Sequence, residues 1–489
     1  MTQNEASTLV LFGAKGNLAR VKLIPGLFKL DLANKLHPNM KIVSVGRQEE
    51  SHQDWLTNIQ NIIRAKYGDK DLDASVLERF LNRNIYHANL PDDPEAFKKL
   101  SKRIIDEKLS QNLAFFLSVR PSDFANIIDD LAAAGMLDET NNWKRVLIEK
   151  PFGYDSQSAA ELQTSIEKHL KETQIYRIDH YLGKFALQNI LFTRFYNSFL
   201  EPIWNKHHID HIQVTNHETL GVGDRTTFYN ATGALRDMMQ SHILQTLTLA
   251  TMEKPTAFSP EDIRAEKIKL LNSIKQIPLD NFEKNVFRAQ YISGEIKNEG
   301  PVKGYLEELG EESLVETYAA VKLFIDNERW RDVPIYLRTA KRLHENATYI
   351  SIKLKPQKIF NNEFSDNWII ISIQPKESIH IEMKTKVPGL DETKTRKIQL
   401  SGGIRMPEDE TIDSYETLLL DLIEGNQSRF LHIDEVNAQW RLIDPIIEKW
   451  QDKNIPVHNY VAGSTDPIAS KIIFENDDQF WRTSINIED

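Results

Sequence analysis

The first third of the chain alternates short apolar runs with amphipathic helical patterns, and this rhythm limits the fold more than any other feature of the sequence. Runs rich in Val, Ile, Leu and Phe predict strands, and most segments between them place apolar residues at helical spacing. Such alternation is typical of a doubly wound parallel sheet with helices on both faces. The predicted strands are 8–14, 41–47, 84–90, 112–119 and 145–153.

Beyond about residue 200 the pattern changes to longer runs with strict alternation of apolar and polar residues. Residues 348–356 and 367–387 have this pattern, which suits an antiparallel sheet with one buried face. Helical patterns persist at 233–252 and 415–426. Because 489 residues exceed what one core usually supports, we expect two domains, with three as an alternative, and a boundary near residues 178–200.

Composition excludes several functional classes. The net charge of -11 disfavours nucleic acid and membrane surfaces as partners, so a phosphate site would be a local basic pocket. The absence of cysteine excludes disulfides, thiolate catalysis and Cys-ligated metals. The polar start "MTQNEAS" and the lack of any run of about 18 apolar residues predict a soluble cytoplasmic protein.

A glycine-containing turn follows the first predicted strand. The stretch "FGAKGNLAR" places Gly13, Gly16 and Ala19 where backbone N–H groups can approach a pyrophosphate, although a simple strand-to-helix turn has the same pattern. Lys15 stands where the usual motif has its middle glycine. Arg47 ends the second strand in place of an acidic residue, which favours NADP over NAD unless it is only a surface arginine.

Lys150 lies in "IEKPFG", just after the fifth predicted strand. Ligands of open α/β sheets bind at the carboxyl ends of the strands, so Lys150 is a candidate ligand. Pro151 requires an extended Lys150 and permits a cis peptide bond. A lysine that only caps the strand end is the structural alternative.

The segment "RIDHYLGKF", residues 177–185, concentrates charged and aromatic side chains. As a strand it would place Arg177, Asp179 and Tyr181 on one face and His180 on the other. As a turn it would be solvated, as most charge clusters are. The aspartate is the sharper clue, because a carboxylate can orient a histidine and stabilise its protonated form.

His242 is the candidate partner, although a buried histidine is more often a structural residue than a base. It follows Asp237 on a strongly periodic helix and is flanked by apolar residues. The histidines of "KHHIDH", residues 206–211, lack the spacing of metal ligands, so we expect no metal and an exposed approach to a strand.

Taken together, "GAKGNLA", "IEKPFG", "RIDHYLGK" and "RDMMQSHILQTLTLATMEKP" resemble the glucose-6-phosphate dehydrogenase family in order and separation. The resemblance implies a Rossmann-like NADP-binding domain over 1–178. It implies an α+β domain over 179–489, with a large, mostly antiparallel sheet that binds substrate and mediates oligomerisation. It also implies oxidation of β-D-glucose 6-phosphate at C1 with reduction of NADP, NAD being possible, in a homodimer or homotetramer.

Site roles follow from the same resemblance. His242 is expected to be the general base and Asp179 its carboxylate partner. Substrate binding is expected from Lys150, His180, Tyr181, Lys184, Glu218, Asp237 and Lys341. Cofactor binding is expected from Gly13, Ala14, Lys15, Gly16, Asn17, Leu18, Ala19, Arg47 and Lys150.

Three positions depart from the family pattern. Asn17 replaces an aspartate, Phe185 replaces a glutamate after "DHYLGK", and Asn346 stands near where a second basic residue commonly helps to bind the phosphate. We expect Asn346 to weaken phosphate binding and Phe185 to leave the chemistry intact. The alternatives are a sugar oxidoreductase of the glucose-fructose oxidoreductase type and a catalytically idle phosphosugar-binding homologue.

Overall fold

The computed structural model describes residues 5–68, 72–297, 299–358, 366–389, 394–483 and 485. The chain divides into two compact units. The first comprises Met1–Lys184, Ala257–Arg264 and Thr411–Val436, and the second comprises Phe185–Thr256, Ala265–Glu410 and Asn437–Asp489. The domain boundary between residues 178 and 179 stays a prediction.

The strands of the described residues are β1 (Thr8–Phe12), β2 (Lys41–Gly46), β3 (Asn84–Ala88), β4 (Leu113–Leu117), β5 (Lys144–Ile148), β6 (Ile175–Ile178), β7 (Ile209–His217), β8 (Val286–Ile292), β9 (Gly294–Ile296), β10 (Gly300–Val302), β11 (Tyr318–Leu323), β12 (Ile335–Ala340), β13 (Ala347–Leu354), β14 (Trp368–Gln374), β15 (Ser378–Lys386), β16 (Thr395–Gly403), β17 (Phe430–Leu431) and β18 (His458–Val461).

The α-helices are α1 (Ile24–Leu32), α2 (His52–Tyr67), α3 (Ala74–Leu81), α4 (Ala96–Asp106), α5 (Phe124–Ala133), α6 (Ser156–Glu167), α7 (Phe185–Phe195), α8 (Thr226–Ala234), α9 (Leu244–Thr251), α10 (Pro260–Ser273), α11 (Tyr305–Leu309), α12 (Ser414–Glu424) and α13 (Ile433–Trp450). Within the described ranges, two stretches are π-helical, Ala19–Leu23 before α1 and Leu235–Ile243 before α9. Short 3₁₀ helices are Pro121–Asp123, Glu172–Gln174, Glu201–Ile203, Gly223–Arg225, Phe282–Lys284 and Ile468–Ile473.

The first unit contains a sheet in the order β17-β6-β5-β4-β1-β2-β3. Strands β1 to β6 pair in parallel in the doubly wound order 3-2-1-4-5-6, and β17 adds an antiparallel edge beside β6. Every residue of β1 and β4 is buried, as expected for strands covered on both faces. The predicted Rossmann-like domain is confirmed.

The second unit contains a sheet in the order β16-β15-β14-β13-β7-β12-β11-β8-β18. Its pairs are antiparallel except β7 with β12 and β8 with β18. The predicted run 367–387 is two strands, β14 and β15, joined by a turn at Pro375, Lys376 and Glu377. The large, mostly antiparallel sheet is therefore confirmed.

Two local predictions need correction. The strand β6 ends at Ile178, so the strand interpretation of residues 179–181 is wrong. His207 and His208 are exposed as expected, but His211 is buried on β7 against Trp368 and Tyr336. Among the described helices, none is long and apolar enough to cross a membrane.

Candidate active site

Four of the segments singled out in the sequence, together with Ser118, lie at the carboxyl edge of the first sheet. The glycine turn follows β1, Arg47 follows β2, Ser118 follows β4, Lys150 follows β5 and Asp179 follows β6. Parallel strands present their carboxyl ends at one edge, which is where open α/β sheets bind ligands. The topology therefore gathers groups that the sequence scatters over about 170 positions.

The glycine turn leaves no space for a side chain at its first position. Gly13 has φ +74°, and a Cβ there would lie 2.0 Å from the carbonyl oxygen of Ser118. The N–H of Gly16 donates to the Gly13 carbonyl at 2.8 Å, which tightens the turn before the helix that begins at Ala19. This close backbone approach fits the pyrophosphate of a dinucleotide. The remaining residues of the turn are Ala14, which is buried, Leu18, which is half-buried, and Asn17, which is exposed.

Two cations flank this turn. Lys15 Nζ lies 3.1 Å from the Glu50 carboxylate and 5.3 Å from the centre of the Tyr86 ring. The Arg47 side chain is 64% exposed, and its Nη2 donates to Asp123 Oδ2 at 2.7 Å. An exposed guanidinium just after β2 offers charged hydrogen-bond donors to an anion, although Asp123 competes for them.

The segment after β5 contains an unusual carboxyl group. The Lys150–Pro151 peptide bond is cis, as the sequence permitted. Burial raises the pKa of the preceding Glu149 to about 8, although the Tyr415 hydroxyl and the Lys150 N–H donate hydrogen bonds that lower it. Nearby Asp179 raises it further. Glu149 is therefore mostly neutral at pH 7, in contact with two of the predicted ligand segments.

The segment after β6 is a buried turn, so the solvated turn expected as the alternative is also wrong. The N–H groups of Leu182, Gly183 and Lys184 each donate to the carbonyl three residues earlier, at 2.9–3.3 Å. The carboxylate of Asp179 accepts from the Tyr181 N–H at 2.9 Å, and Asp179 is fully buried. A hydrogen bond from the backbone of the turn therefore fixes the Asp179 side chain.

The turn brings three of the predicted substrate ligands together. Lys184 Nζ lies 3.4 Å from the centre of the Tyr181 ring, and the rings of His180 and Tyr181 are 5.1 Å apart. Together they offer an ammonium, an imidazole and a phenol within five consecutive residues. This donor set suits a phosphate dianion.

In the second unit, Glu218 and Lys341 form an ion pair. Each residue directly follows a strand, Glu218 after β7 and Lys341 after β12. These strands pair in parallel, with Ala340 opposite His217, so the two side chains emerge side by side. The topology thus explains how residues 123 positions apart meet.

Asp237 and His242 lie on the π-helical segment Leu235–Ile243. The Leu244 N–H donates to the Met239 carbonyl, five residues earlier, as in a π-helix. The segment starts after Gly233, which has φ +69° and ψ 171°, and the buried Glu316 carboxylate accepts from the Leu235 N–H at 2.8 Å. Burial raises the pKa of Glu316. His242 is 3% exposed, which suits a proton acceptor shielded from bulk water.

Three functional neighbours were not identified from the sequence. Tyr229 has Lys341 Nζ 5.4 Å from its ring centre, and burial, together with the charges of Asp237 and Glu218, raises its pKa well above the usual value. Tyr415 and Glu316 are the other two. Tyr415 and Glu316 lie far along the chain from the motifs, whereas Tyr229 lies only eight residues before Asp237. A buried aromatic or acidic residue gives no local signal.

The departures have identifiable surroundings. Asn346 Oδ1 accepts from the Thr219 N–H at 2.8 Å, which fixes the residue next to Glu218. Phe185 is 46% exposed, with the Arg405 guanidinium 5.4 Å from its ring centre. Arg405 also pairs with Glu377 at 2.8 Å.

Family models cover nearly the whole chain. The "Glucose-6-phosphate dehydrogenase, NAD binding domain" model matches residues 10–189, and the "Glucose-6-phosphate dehydrogenase, C-terminal domain" model matches residues 191–482.

Relatives and solved structures agree. The chain is 37% identical to glucose-6-phosphate 1-dehydrogenase of Rhizobium meliloti (strain 1021), over 97% of each chain. It is 35% identical to that of Bacillus subtilis (strain 168), over 98% of each. A solved glucose-6-phosphate dehydrogenase in complex with its substrate glucose 6-phosphate is 31% identical, with a TM-score of 0.89 over 99% of this chain and 100% of that one. The chain belongs to the glucose-6-phosphate dehydrogenase family.

Proposed function

We propose that this chain oxidises β-D-glucose 6-phosphate at C1 to 6-phospho-D-glucono-1,5-lactone with reduction of NADP, the first oxidative step of the pentose phosphate pathway. The observation that carries the proposal is the buried turn after β6, which presents His180, Tyr181 and Lys184 together as a phosphate-binding set. The full-length relatives support this function over a glucose-fructose oxidoreductase-like enzyme.

The residues present fit a bound dinucleotide. Gly13 lacks space for any side chain, and a helix begins at Ala19 directly after the turn, an arrangement that favours a pyrophosphate at the helix N-terminus. A nicotinamide bound here would supply the acceptor for the hydride that leaves C1. Arg47 supplies a charged donor for a 2′-phosphate, and this is the basis for proposing NADP as the preferred cofactor.

The protein's own groups manage the proton and the substrate. His242 removes the proton of the C1 hydroxyl as the C1–H bond breaks, and Asp179 stabilises the imidazolium that results. A histidine suits this step because its ordinary pKa is near neutrality. Asp179 belongs to the first unit and His242 to the second, and their pairing remains a proposal.

Binding energy comes from both units. In the first unit, His180, Tyr181 and Lys184 hold the phosphate, and Lys150 contacts substrate and nicotinamide. In the second unit, Glu218 and Asp237 bind the sugar hydroxyls, and Lys341 is a further substrate-binding residue. The ion pair of Glu218 with Lys341 fixes both side chains before substrate arrives, which lowers the entropic cost of binding.

The test is the absorbance at 340 nm with glucose 6-phosphate and either NADP or NAD, with unphosphorylated glucose as the control. A rise that requires the phosphate and is faster with NADP supports the proposal. No rise with either cofactor would indicate an idle homologue, and activity on free glucose would indicate a sugar oxidoreductase. Light scattering after size exclusion tests the proposed homodimer or homotetramer.

A further inference from the structure

The turn Asp179–Lys184 is called the phosphate turn below. The start of α12 packs directly against it within the first unit. A Cβ added at Gly183 would lie 2.6 Å from the Ser414 carbonyl oxygen and 3.0 Å from Leu418 Cδ1. The N-cap residue of the helix, Asp413, accepts from the Tyr415 N–H at 3.0 Å and binds Lys22 at 2.7 Å. Lys22 lies on the helix that follows the glycine turn. The start of α12 therefore contacts both the phosphate turn and the helix that follows the glycine turn.

Tyr415, in the first turn of α12, touches two other parts of the site. Its ring lies 6.4 Å from the His180 ring at an interplanar angle of 7°, a parallel stack at the long end of the usual range. Its hydroxyl hydrogen-bonds the Glu149 carboxyl, next to Lys150. Tyr415 is 9% exposed, so the residues packed around it restrict the movement of its ring and its hydroxyl.

Glu149 is kept neutral by its surroundings. Among the described residues its Oε1 atom is buried without a hydrogen-bond partner, which disfavours a carboxylate more than a carboxylic acid. The groups that face it are the Tyr415 hydroxyl, the Lys150 N–H and the Asp179 carboxylate. A second negative charge here would stand beside Asp179 and next to Lys150, where two anionic ligands are proposed to bind.

We propose that Tyr415 is a positioning residue, whose ring orients His180 for the phosphate and whose hydroxyl holds the neutral Glu149 beside Lys150. The inference rests on the proposed function and adds a residue to that site. The Tyr415 side chain thus has two roles, one for its ring and one for its hydroxyl. A separate variant tests each role.

The Tyr415→Phe variant keeps the ring and removes the hydroxyl. We expect kcat/KM of the wild type to fall as Glu149 ionises, at about pH 8. Since the hydroxyl bond lowers the pKa of Glu149, its loss raises that pKa and moves this expected fall to higher pH. We expect a shift of about 0.4 to 1 pH unit, with the KM for glucose 6-phosphate at pH 7 unchanged within about twofold. The Glu149→Gln variant, which cannot ionise, is expected to lose this part of the pH profile.

The Tyr415→Leu variant removes the ring as well. We expect the KM for glucose 6-phosphate at pH 7 to rise about two- to tenfold because His180 loses its stacked neighbour. The matched control is Tyr67→Phe, which removes a hydroxyl that donates to the Pro25 carbonyl at 3.1 Å in the same unit. This control is expected to change neither the pH profile nor the KM.

A Tyr415→Phe pH profile that superimposes on the wild-type profile overturns the inference, even if Tyr415→Leu fails to fold. So does an unchanged KM in a folded Tyr415→Leu protein. Wild-type protein without activity would instead refute the proposed function, and calorimetric binding of glucose 6-phosphate to wild type and Tyr415→Leu then decides the role of the ring. Equal affinity, or no binding to either protein, refutes that role.

Discussion

Replacing Arg47 with alanine is expected to weaken the binding of NADP far more than the binding of NAD. The guanidinium is 64% exposed at the carboxyl end of β2, with Asp123 at 2.7 Å as its partner. A charge-assisted bond to the 2′-phosphate contributes about 1.5–3 kcal/mol. Opening the exposed pair with Asp123 costs about 0.2–1 kcal/mol. The net contribution is about 0.5–2.8 kcal/mol, which is about two- to hundredfold in affinity.

The dissociation constants of NADP and NAD, measured by protein fluorescence for wild type and Arg47→Ala, provide the test. Arg64→Ala, which removes the same charge from α2, is the control for net charge. Asp123→Asn should have the opposite effect, tightening NADP binding about 1.4- to fivefold because the guanidinium no longer has a competing carboxylate. Equal weakening of NADP and NAD by Arg47→Ala would refute the assignment of Arg47 to the 2′-phosphate.

Three further predictions follow from the same structure. His242→Asn should lower kcat about 10²- to 10⁴-fold with little change in KM, and near-wild-type turnover would exclude His242 as the base. Gly183→Ala forces a Cβ against the α12 backbone and should destabilise the protein by about 1–3 kcal/mol by thermal denaturation. Gly402→Ala, which meets open space, serves as its control, and equal melting temperatures would contradict the packing argument. Glu172→Gln removes the charged partner of the buried Arg177 guanidinium, which keeps its hydrogen bonds to Gln163 and the Leu431 carbonyl, and should lower stability by about 3 kcal/mol at pH 7. Burial alone would raise the pKa of Glu172, but hydrogen bonds and charge from Arg177 lower it. The stability difference between wild type and Glu172→Gln is therefore present above the unfolded-state pKa of Glu172. It should shrink in melting curves as pH falls from 5 to 3.

Most of the fold was predictable because its signals are local. Buried parallel strands read as continuous apolar runs, and the exposed face of an antiparallel sheet reads as alternation. Gly13 and Pro151 similarly mark backbone conformations that few other residues adopt. The reaction was predicted from the family motifs, because the spacing of apolar residues does not indicate a chemical function.

The remaining features depend on partners distant in sequence. The turn at Asp179–Lys184 resembled either a strand or a solvated loop, because α12, which packs against its Gly183, comes more than 200 residues later. Likewise, the pKa of Glu149 depends on Tyr415, and the start of the π-helical segment depends on Glu316. A pattern in one short stretch of sequence cannot predict contacts with residues far away along the chain.

The first unit is assembled from three separate stretches of chain, and this has a consequence for biosynthesis. During translation, residues up to Lys184 emerge early, but β17 and α12 leave the ribosome only after nearly all of the second unit's strands. Until then the edge of β6 lacks its antiparallel neighbour, and the phosphate turn lacks the helix that covers it. Nascent chains are therefore expected to remain unable to bind phosphosugar until synthesis has passed residue 436.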